Sequence, residues 1–246
     1  METHTYRYQS DFFDFVDRSS GRSAKAFLGR IKSDFSVQSV LDVGCGRGVW
    51  LKAWKALGVQ DVKGVDGEYV DCTRLHVERA EFQALDISSP FSLGRRFDVV
   101  QCLEVAEHVP AVRSAVLIDN LVSHGDLILF SAAIPGQGGE HHVNEQPLAY
   151  WVAKFKARGY RAYDFVRERV RAVPDIEPWY RYNSLVFATN VGAKRLGAHA
   201  FEKIVSDNAD LMGTVPLAWK IRCATLSALP TRTIDALAKI KHRFAR

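Results

Sequence analysis

The sequence predicts an α/β fold in which a doubly wound, mostly parallel sheet is covered by helices on both faces. From residue 39 onward, short apolar segments of strand length alternate with segments whose apolar residues recur at helical spacing. The strand segments are apolar almost throughout, as expected of parallel strands buried on both faces. The chain has 246 residues, 47% of them hydrophobic, enough for one full-sized domain with its own core.

The elements of this fold follow one another in a regular order. Apolar runs predict strands at 39–44, 61–67, 80–86, 97–104, 125–133, 160–170 and 184–190. Helical spacing predicts helices at 23–35, 48–58, 111–122, 147–160, 217–229 and 233–244. We therefore expect a lead-in or cap at 1–38, a ligand-binding domain at 39–190 and a basic helical tail at 191–246.

The positive charge of the chain is concentrated in the tail. Residues 191–246 contain ten Lys or Arg and four Asp or Glu, a net charge of +6, whereas the whole chain carries +5. The body is therefore nearly neutral, which argues against a basic nucleic-acid-binding surface there. For the tail we expect either a helical cap packed on the domain or a segment that docks on a partner or an acidic surface.

The sequence favours a cytoplasmic protein. Its N-terminal segment has neither the basic nor the apolar region of a signal peptide, and no apolar run approaches the length of a membrane span. The four cysteines are scattered without a CxxC pair or disulfide-like spacing. These features fit a reducing compartment.

A glycine-rich turn, VLDVGCGRGVW (residues 40–50), joins the first predicted strand to the following helix. Glycines let a ligand lie against bare backbone, and a helix N-terminus offers N–H groups to a polar ligand. Acids stand at the ends of the first three strands: Asp42, Asp66 and Asp86. Asp66 is suited to accept hydrogen bonds from ribose hydroxyls, as in other nucleotide-binding sheets. The turn thus predicts a nucleoside site without a pyrophosphate subsite.

Over residues 10–190 the sequence resembles the class I S-adenosylmethionine-dependent methyltransferases, specifically the small bacterial methyltransferase-domain type. The similar segments are FFDFVDRSSGRSA, VLDVGCGRGVWL, GVDG, LDIS, FDVVQCLEVAEHVP, LFSAAIPGQGGEHHVNEQ and EPWYRYN. This resemblance implies a Rossmann-like, seven-stranded sheet whose last strand is antiparallel. It also implies S-adenosylmethionine as the cofactor, with a set of contacting residues: Ser23, Asp42, Gly44, Cys45, Gly46, Asp66, Leu85, Asp86, Ile87 and Glu104.

The segment CLEVAEHV (102–109) collects Glu104, Glu107 and His108 after the fourth strand, where the ligand crevice of such sheets lies. A helical turn there would bring the three side chains to one face. The later loop GGEHHVNEQ adds His141 and His142. Carboxylate and imidazole ligands suit Mg²⁺, Mn²⁺ or Zn²⁺.

This pattern is similar to the ExxEH-plus-histidine metal site of small-RNA 2′-O-methyltransferases, and ExxEH alone resembles the motif of ubiquinone-pathway O-methyltransferases. The resemblance implies four ligands, Glu104, Glu107, His108 and His142, the last selected by the H-x-x-E spacing to Glu145. It also implies His142, His108 and Glu107 as catalytic residues. Alternatively, His142 acts alone as a general base, or the EH pair serves only the cofactor side and the start of a helix.

We therefore predict an S-adenosylmethionine-dependent enzyme that methylates a hydroxyl of a small molecule or glycan, with or without a divalent metal. The aromatic segment EPWYRYN (177–183) could supply a wall for a sugar ring or a planar acceptor. An RNA 2′-O-methyltransferase and a catalytically silent cofactor-binding scaffold are the alternative functions.

Overall fold

A computed structural model of the chain describes residues 10–244, so residues 1–9 of the predicted lead-in and residues 245–246 lie outside it. The sheet has seven strands: β1 (Ser39–Val43), β2 (Asp61–Asp66), β3 (Phe82–Ala84), β4 (Val99–Leu103), β5 (Leu127–Ser131), β6 (Arg161–Tyr163) and β7 (Leu185–Ala188). Their order across the sheet is β3-β2-β1-β4-β5-β7-β6. The first five strands are parallel, and β7 runs antiparallel to both of its neighbours. The predicted mixed sheet with an antiparallel last strand is confirmed.

The helices cover both faces of this sheet. They are α1 (Ser10–Ile31), α2 (Val49–Ala56), α3 (Ser114–His124), α4 (Leu148–Lys156), α5 (Phe165–Val170), α6 (Pro178–Asn183), α7 (Ala198–Phe201), α8 (Leu217–Ser227) and α9 (Thr231–Phe244). No helix within residues 10–244 is both long and apolar enough to cross a membrane.

The core forms two layers because successive strand residues point to opposite faces. On β4, Val99 packs in one layer, and Val100 packs in the other. The first layer takes apolar residues of α1, α2 and α5, and the second takes those of α3 and α4. Every residue of β1, β4 and β5 is buried, as expected for central parallel strands.

The predicted strand at 160–170 is wrong beyond Tyr163. The chain forms β6 only over Arg161–Tyr163 and then turns into α5. Asp164 and Arg167 form an ion pair at i,i+3 spacing, which favours a helix. The sequence in this segment fits both strand and helix periods, so periodicity alone could not separate them.

The residues after 190 pack against the rest of the chain. Leu196 bridges to Phe35, and Ile204 bridges to Tyr163. Trp219 and Cys223 of α8 are 8% and 6% exposed and belong to the second core layer. The boundary at residue 190 stays a prediction, but this packing is that of a helical cap.

Candidate active site

A cavity of about 1530 Å³ opens at the carboxyl ends of the parallel strands, where open α/β sheets bind their ligands. A pocket for one small ligand usually measures about 300–1000 Å³, so this cavity has room for two. One side is built from the residues that follow β1, β2, β3 and β4. Helix α1 and the two tail helices α8 and α9 line the cavity as well. The tail residues in this lining are Arg222 and Leu226 of α8 and Ile234, Leu237 and Ala238 of α9.

The glycine turn after β1 forms the floor of one half of the cavity. Gly44 has a φ of 81°, and a Cβ at this position would lie 2.4 Å from a methyl group of Val105. Only glycine combines this backbone conformation with this close approach. Gly44, Cys45 and Gly46 all line the cavity, and their role as cofactor contacts stays a prediction. Burial raises the pKa of the Cys45 thiol, so this side chain acts as a small apolar filler rather than a nucleophile.

Asp66, at the end of β2, accepts hydrogen bonds on both carboxylate oxygens. The backbone N–H of Gly46 donates at 2.6 Å and that of Gly67 at 2.7 Å, and the Tyr69 hydroxyl donates as well. Burial raises the pKa of Asp66, and these three hydrogen bonds oppose the rise. The carboxylate thus links the glycine turn to the end of β2 and borders the cavity.

Asp42, at the end of β1, lies beneath the glycine turn and does not line the cavity itself. It is 3% exposed, and its Oδ2 makes no hydrogen bond within the described residues. Burial raises the pKa of Asp42 to about 7, against the opposing effect of the Gln101 amide, and the charge of Asp66 adds to the rise.

Leu85, Asp86 and Ile87 follow β3 and line the same half of the cavity. The Asp86 carboxylate accepts hydrogen bonds from the backbone N–H and hydroxyl of Ser88 and from the hydroxyl of Ser89. Although burial opposes ionisation, these bonds lower the pKa of Asp86. Asp86 therefore favours its charged form beside the glycine turn's half of the cavity.

Ser23, like Asp42, does not line the cavity. It is fully buried, and its hydroxyl accepts a hydrogen bond from the backbone N–H of Glu177 at 3.0 Å. The serines of α1 that do border the cavity are Ser19 and Ser20, one turn earlier. The role of Ser23 as a cofactor contact stays a prediction.

Glu107, His108 and His142 converge at the other half of the cavity. One ligand atom from each lies within 4.8 Å of the other two. The two imidazole rings meet edge to face with centroids 5.0 Å apart. Backbone N–H groups of Val143 and Asn144 donate to the Glu107 carbonyl at 2.9 and 3.0 Å, which brings the histidine loop against the turn after β4.

Hydrogen bonds at Nδ1 orient both imidazoles of this cluster. His108 Nδ1 lies 3.2 Å from the carbonyl oxygen of His141, and a carbonyl can only accept. His142 Nδ1 lies 2.8 Å from Glu145 Oε1. In both rings the proton is therefore on Nδ1, and Nε2 carries the lone pair in the neutral form. This arrangement is typical of metal-binding histidines and of histidine bases held by a carboxylate.

Within the part of the chain that the structure describes, no Lys or Arg forms an ion pair with Glu107. Glu107 is 1% exposed, and neither carboxylate oxygen makes a hydrogen bond of normal geometry within residues 10–244. Burial, and next the charge of Glu104, raise the pKa of Glu107 well above its ordinary value. Burial likewise lowers the pKa of His108 well below its usual range, and His142 lowers it further. A cation would relieve the desolvation of the carboxylate.

Glu145 differs from Glu107 in that its pKa is lowered rather than raised. Burial works against its ionisation, but hydrogen bonds from His142 and from the backbone N–H groups of Gly138 and Gly136 lower its pKa. A charged Glu145 holds the His142 ring in place at Nδ1.

Glu104 is the predicted metal ligand that the structure leaves outside the cluster. Its carboxylate accepts a hydrogen bond from Gln137 Nε2 at 2.6 Å, and Asn183 Nδ2 lies at 3.5 Å. Its φ is 55°, a conformation that costs a residue with a Cβ about 1–3 kcal/mol and that clusters at functional sites. The Glu104 carboxylate thus has amide partners of its own, and the group of side chains that could hold an ion contains Glu107, His108 and His142 without Glu104.

Several residues that border the site were not predicted from the sequence. Tyr69, Gln137 and the cavity-facing residues of α8 and α9 fall into this group. Tyr69 follows Asp66 by three positions, and Gln137 precedes the two histidines in PGQGGEHH, so proximity to a predicted residue was the only available signal.

Comparison with known protein families agrees with this geometry. The model of a family described as "Methyltransferase domain" matches residues 7–131, half of the chain. The chain belongs to this methyltransferase family. The class I methyltransferase assignment made from the glycine turn and the strand-end acids is confirmed.

Curated relatives and a solved structure extend this comparison. The chain is 30% identical over 131 residues to the ubiquinone biosynthesis O-methyltransferase of Neisseria meningitidis serogroup C, an alignment covering 48% of this chain and 49% of that protein. It is 32% identical over 171 residues to the enzyme of the same description from Azotobacter vinelandii, covering 63% and 67% respectively. The chain thus spans about half the length of the first curated relatives it matches.

The solved structure is that of CalS10, an amino pentose methyltransferase from Micromonospora echinaspora with bound S-adenosylmethionine. It superposes with a TM-score of 0.51 at 18% identity, covering 76% of this chain and 100% of CalS10. This likeness concerns the fold alone.

Proposed function

We propose that the protein is an S-adenosylmethionine-dependent methyltransferase that transfers the methyl group to a hydroxyl of a small molecule or glycan. The observation that carries this proposal is the continuity of the cavity from the glycine turn to the Glu107–His108–His142 cluster. One half offers the bare backbone and carboxylates that suit a nucleoside, and the other half offers the groups that suit an acceptor. The O-methyltransferase relatives and the cofactor in CalS10 support it.

The rate of this reaction depends mainly on how the acceptor oxygen is positioned relative to the methyl donor. S-Adenosylmethionine would supply a methyl group activated on its sulfonium sulfur, and transfer of that group to the acceptor oxygen would release S-adenosylhomocysteine and the hydroxyl proton. The sulfonium is already an activated leaving group, so in-line alignment of oxygen, carbon and sulfur gives most of the acceleration. Asp66 and the turn at Gly44 would hold the donor, and the cluster would hold the oxygen.

We propose that the cluster binds a divalent cation such as Mg²⁺, Mn²⁺ or Zn²⁺ through Glu107, His108 and His142. The residues fit such an ion because Glu107 has two oxygens without normal hydrogen bonds and both Nε2 atoms carry lone pairs. A bound cation would lower the pKa of the acceptor hydroxyl. In its absence, His142 held by Glu145 would be the chain's own acceptor for the hydroxyl proton.

Calorimetry with S-adenosylhomocysteine tests the cofactor site. Asp66→Ala should weaken binding at least about tenfold, because a charge-assisted hydrogen bond is worth about 1.5–3 kcal/mol. Asp61→Ala is the matched control, since Asp61 is the exposed acid at the opposite end of β2. Equal affinity of the Asp66 variant and the control would refute the assignment.

Turnover with and without a chelator tests the cluster. A panel of phenols, sugars and RNA should yield methylation of a phenol or sugar hydroxyl, and methylation of RNA alone would select the alternative function. If an ion is bound, a chelator abolishes turnover and Glu107→Gln reproduces that loss, whereas Glu168→Gln, an exposed acid paired with Lys203, has no effect. Turnover that resists both chelation and Glu107→Gln would leave His142 as a lone base.

We also propose that the outer face of the tail docks on an acidic surface. Ile234 and Ala238 of α9 face the cavity, whereas Arg232 and Ile240 are exposed on the other side of the helix. A basic face with an apolar residue suits an anionic surface. Binding to anionic lipid vesicles should exceed binding to zwitterionic ones and weaken in Arg232→Glu; equal binding to both vesicle types would refute this.

A further inference from the structure

The two tail helices lie directly against the loop that carries His142. We call residues 136–146 the histidine loop. A Cβ on Gly136 would lie 2.1 Å from the carbonyl oxygen of Cys223 in α8, so the two backbones touch and only glycine fits there. A Cβ on Gly138 would lie 2.8 Å from a methyl group of Ile234 in α9.

Two hydrogen bonds cross this contact. Arg222 of α8 donates to the carbonyl oxygen of Gln137 at 2.8 Å, and the backbone N–H of His141 donates to Asp235 Oδ1 of α9 at 3.2 Å. Asp235 is the single acid among residues 217–244, which hold six Lys or Arg. It does not belong to the first turn of α9, so complementarity with the helix dipole does not explain it.

The residue that Asp235 holds has an unusual backbone. His141 has a φ of 58° and, with Glu104, is one of two non-glycine residues with positive φ within residues 10–244. Such a conformation persists only when neighbouring contacts fix it. It directs the His141 carbonyl oxygen to His108 Nδ1, 3.2 Å away. That hydrogen bond sets the tautomer of His108 and points its Nε2 into the cluster.

We propose that Asp235 is a positioning residue for His108, acting through the backbone of His141. The route has three steps: the carboxylate fixes the His141 N–H, the strained peptide presents its carbonyl, and the carbonyl orients the imidazole. The inference rests on the proposed function, because it takes His108 as part of the acceptor site. The tail thereby becomes part of the active site, a role that neither of the two sequence-based alternatives, a helical cap or a docking segment, included.

The test uses the full chain with Asp235→Ala, Asp235→Asn and the control Asp207→Ala, which removes an exposed tail acid paired with Lys156. Imidazole ¹⁵N spectra report the tautomer of His108, and amide hydrogen exchange reports the His141 N–H. Asp235→Ala should lower the Nδ1–H population and the protection of that amide. Asp235→Asn keeps an acceptor oxygen and should restore both, and Asp207→Ala should match the parent chain.

Turnover gives the second readout. Loss of a partner that orients a site histidine costs about 10–100-fold in activity, so Asp235→Ala should lower kcat by at least about tenfold. The affinity for S-adenosylhomocysteine should stay within about twofold, since no cofactor group is touched. An unchanged His108 tautomer in Asp235→Ala, or equal losses in the Ala and Asn variants, would overturn the proposal. A parent chain without methyl transfer to any acceptor would instead overturn the proposed function, and the spectra would still decide the role of Asp235.

Discussion

Replacing Asp42 by Asn should remove a pH-dependent loss of stability. Asp42 is 3% exposed, and Oδ2 has no hydrogen-bond partner among the residues that the structure describes. Burial raises its pKa to about 7, although the amide of Gln101 opposes the rise. The carboxyl group therefore holds its proton in the folded chain at pH values where the unfolded chain has already released it.

The sign and size of the effect follow from that shift. A group whose pKa is raised on folding contributes stability that is fully present below its unfolded pKa, about 3.9 for Asp, and lost as the pH rises through the folded value. Between pH 5 and pH 8, a shift from about 3.9 to about 7 removes about 3 kcal/mol from the free energy of unfolding. Asn cannot ionise and avoids this loss.

Urea unfolding of both proteins at several pH values measures the effect. The stability of Asp42→Asn relative to the parent chain should rise by about 3 kcal/mol from pH 5 to pH 8. Asp61→Asn, an exposed acid on the neighbouring strand, should show no comparable trend. A difference between Asp42→Asn and the parent that stays constant within about 1 kcal/mol would refute the reasoning, because it would mean that Asp42 is ionised in the folded chain throughout.

Two further predictions concern the glycine turn and the tail. Gly44→Ala should weaken S-adenosylhomocysteine binding at least about tenfold by calorimetry, because the new Cβ would lie 2.4 Å from a methyl group of Val105. Gly58→Ala controls for backbone strain, since Gly58 also has a positive φ but no atom lies within 4 Å of its Cβ position. Equal losses of affinity in the two variants would contradict the steric reason. Trp219→Ala should cost about 3 kcal/mol in urea unfolding, since Trp219 is 8% exposed and packs in the core, whereas Leu217→Ala, 70% exposed, should cost little.

Much of the fold and of the cofactor half could be predicted because local pattern determines both. Apolar runs at strand length locate β1 to β5, and acids at the ends of parallel strands must meet at one edge of the sheet. Asp66 and Asp86 follow directly from this geometry. The glycine turn could be predicted from the spacing of its glycines alone.

The half of the cavity that contains Glu107, His108 and His142 could be predicted less completely from the sequence. Glu104 was expected to join the metal ligands, but its amide partners Gln137 and Asn183 lie 33 and 79 positions away, and no spacing rule connects them. For the tail, the amphipathic pattern indicated a buried face without indicating what it packs on. Its contact with the histidine loop is a tertiary feature, and the role of Asp235 becomes visible only there.

The central claim, an acceptor site beside the cofactor built from Glu107, His108 and His142, is tested most directly by crystals grown with S-adenosylhomocysteine and Mn²⁺. Anomalous diffraction at the manganese edge should give one strong peak contacting these three side chains but not Glu104, with the cofactor sulfur facing the same part of the cavity. A cofactor bound against the glycine turn with no manganese peak at the three residues, or a peak held elsewhere on the chain, would contradict the account.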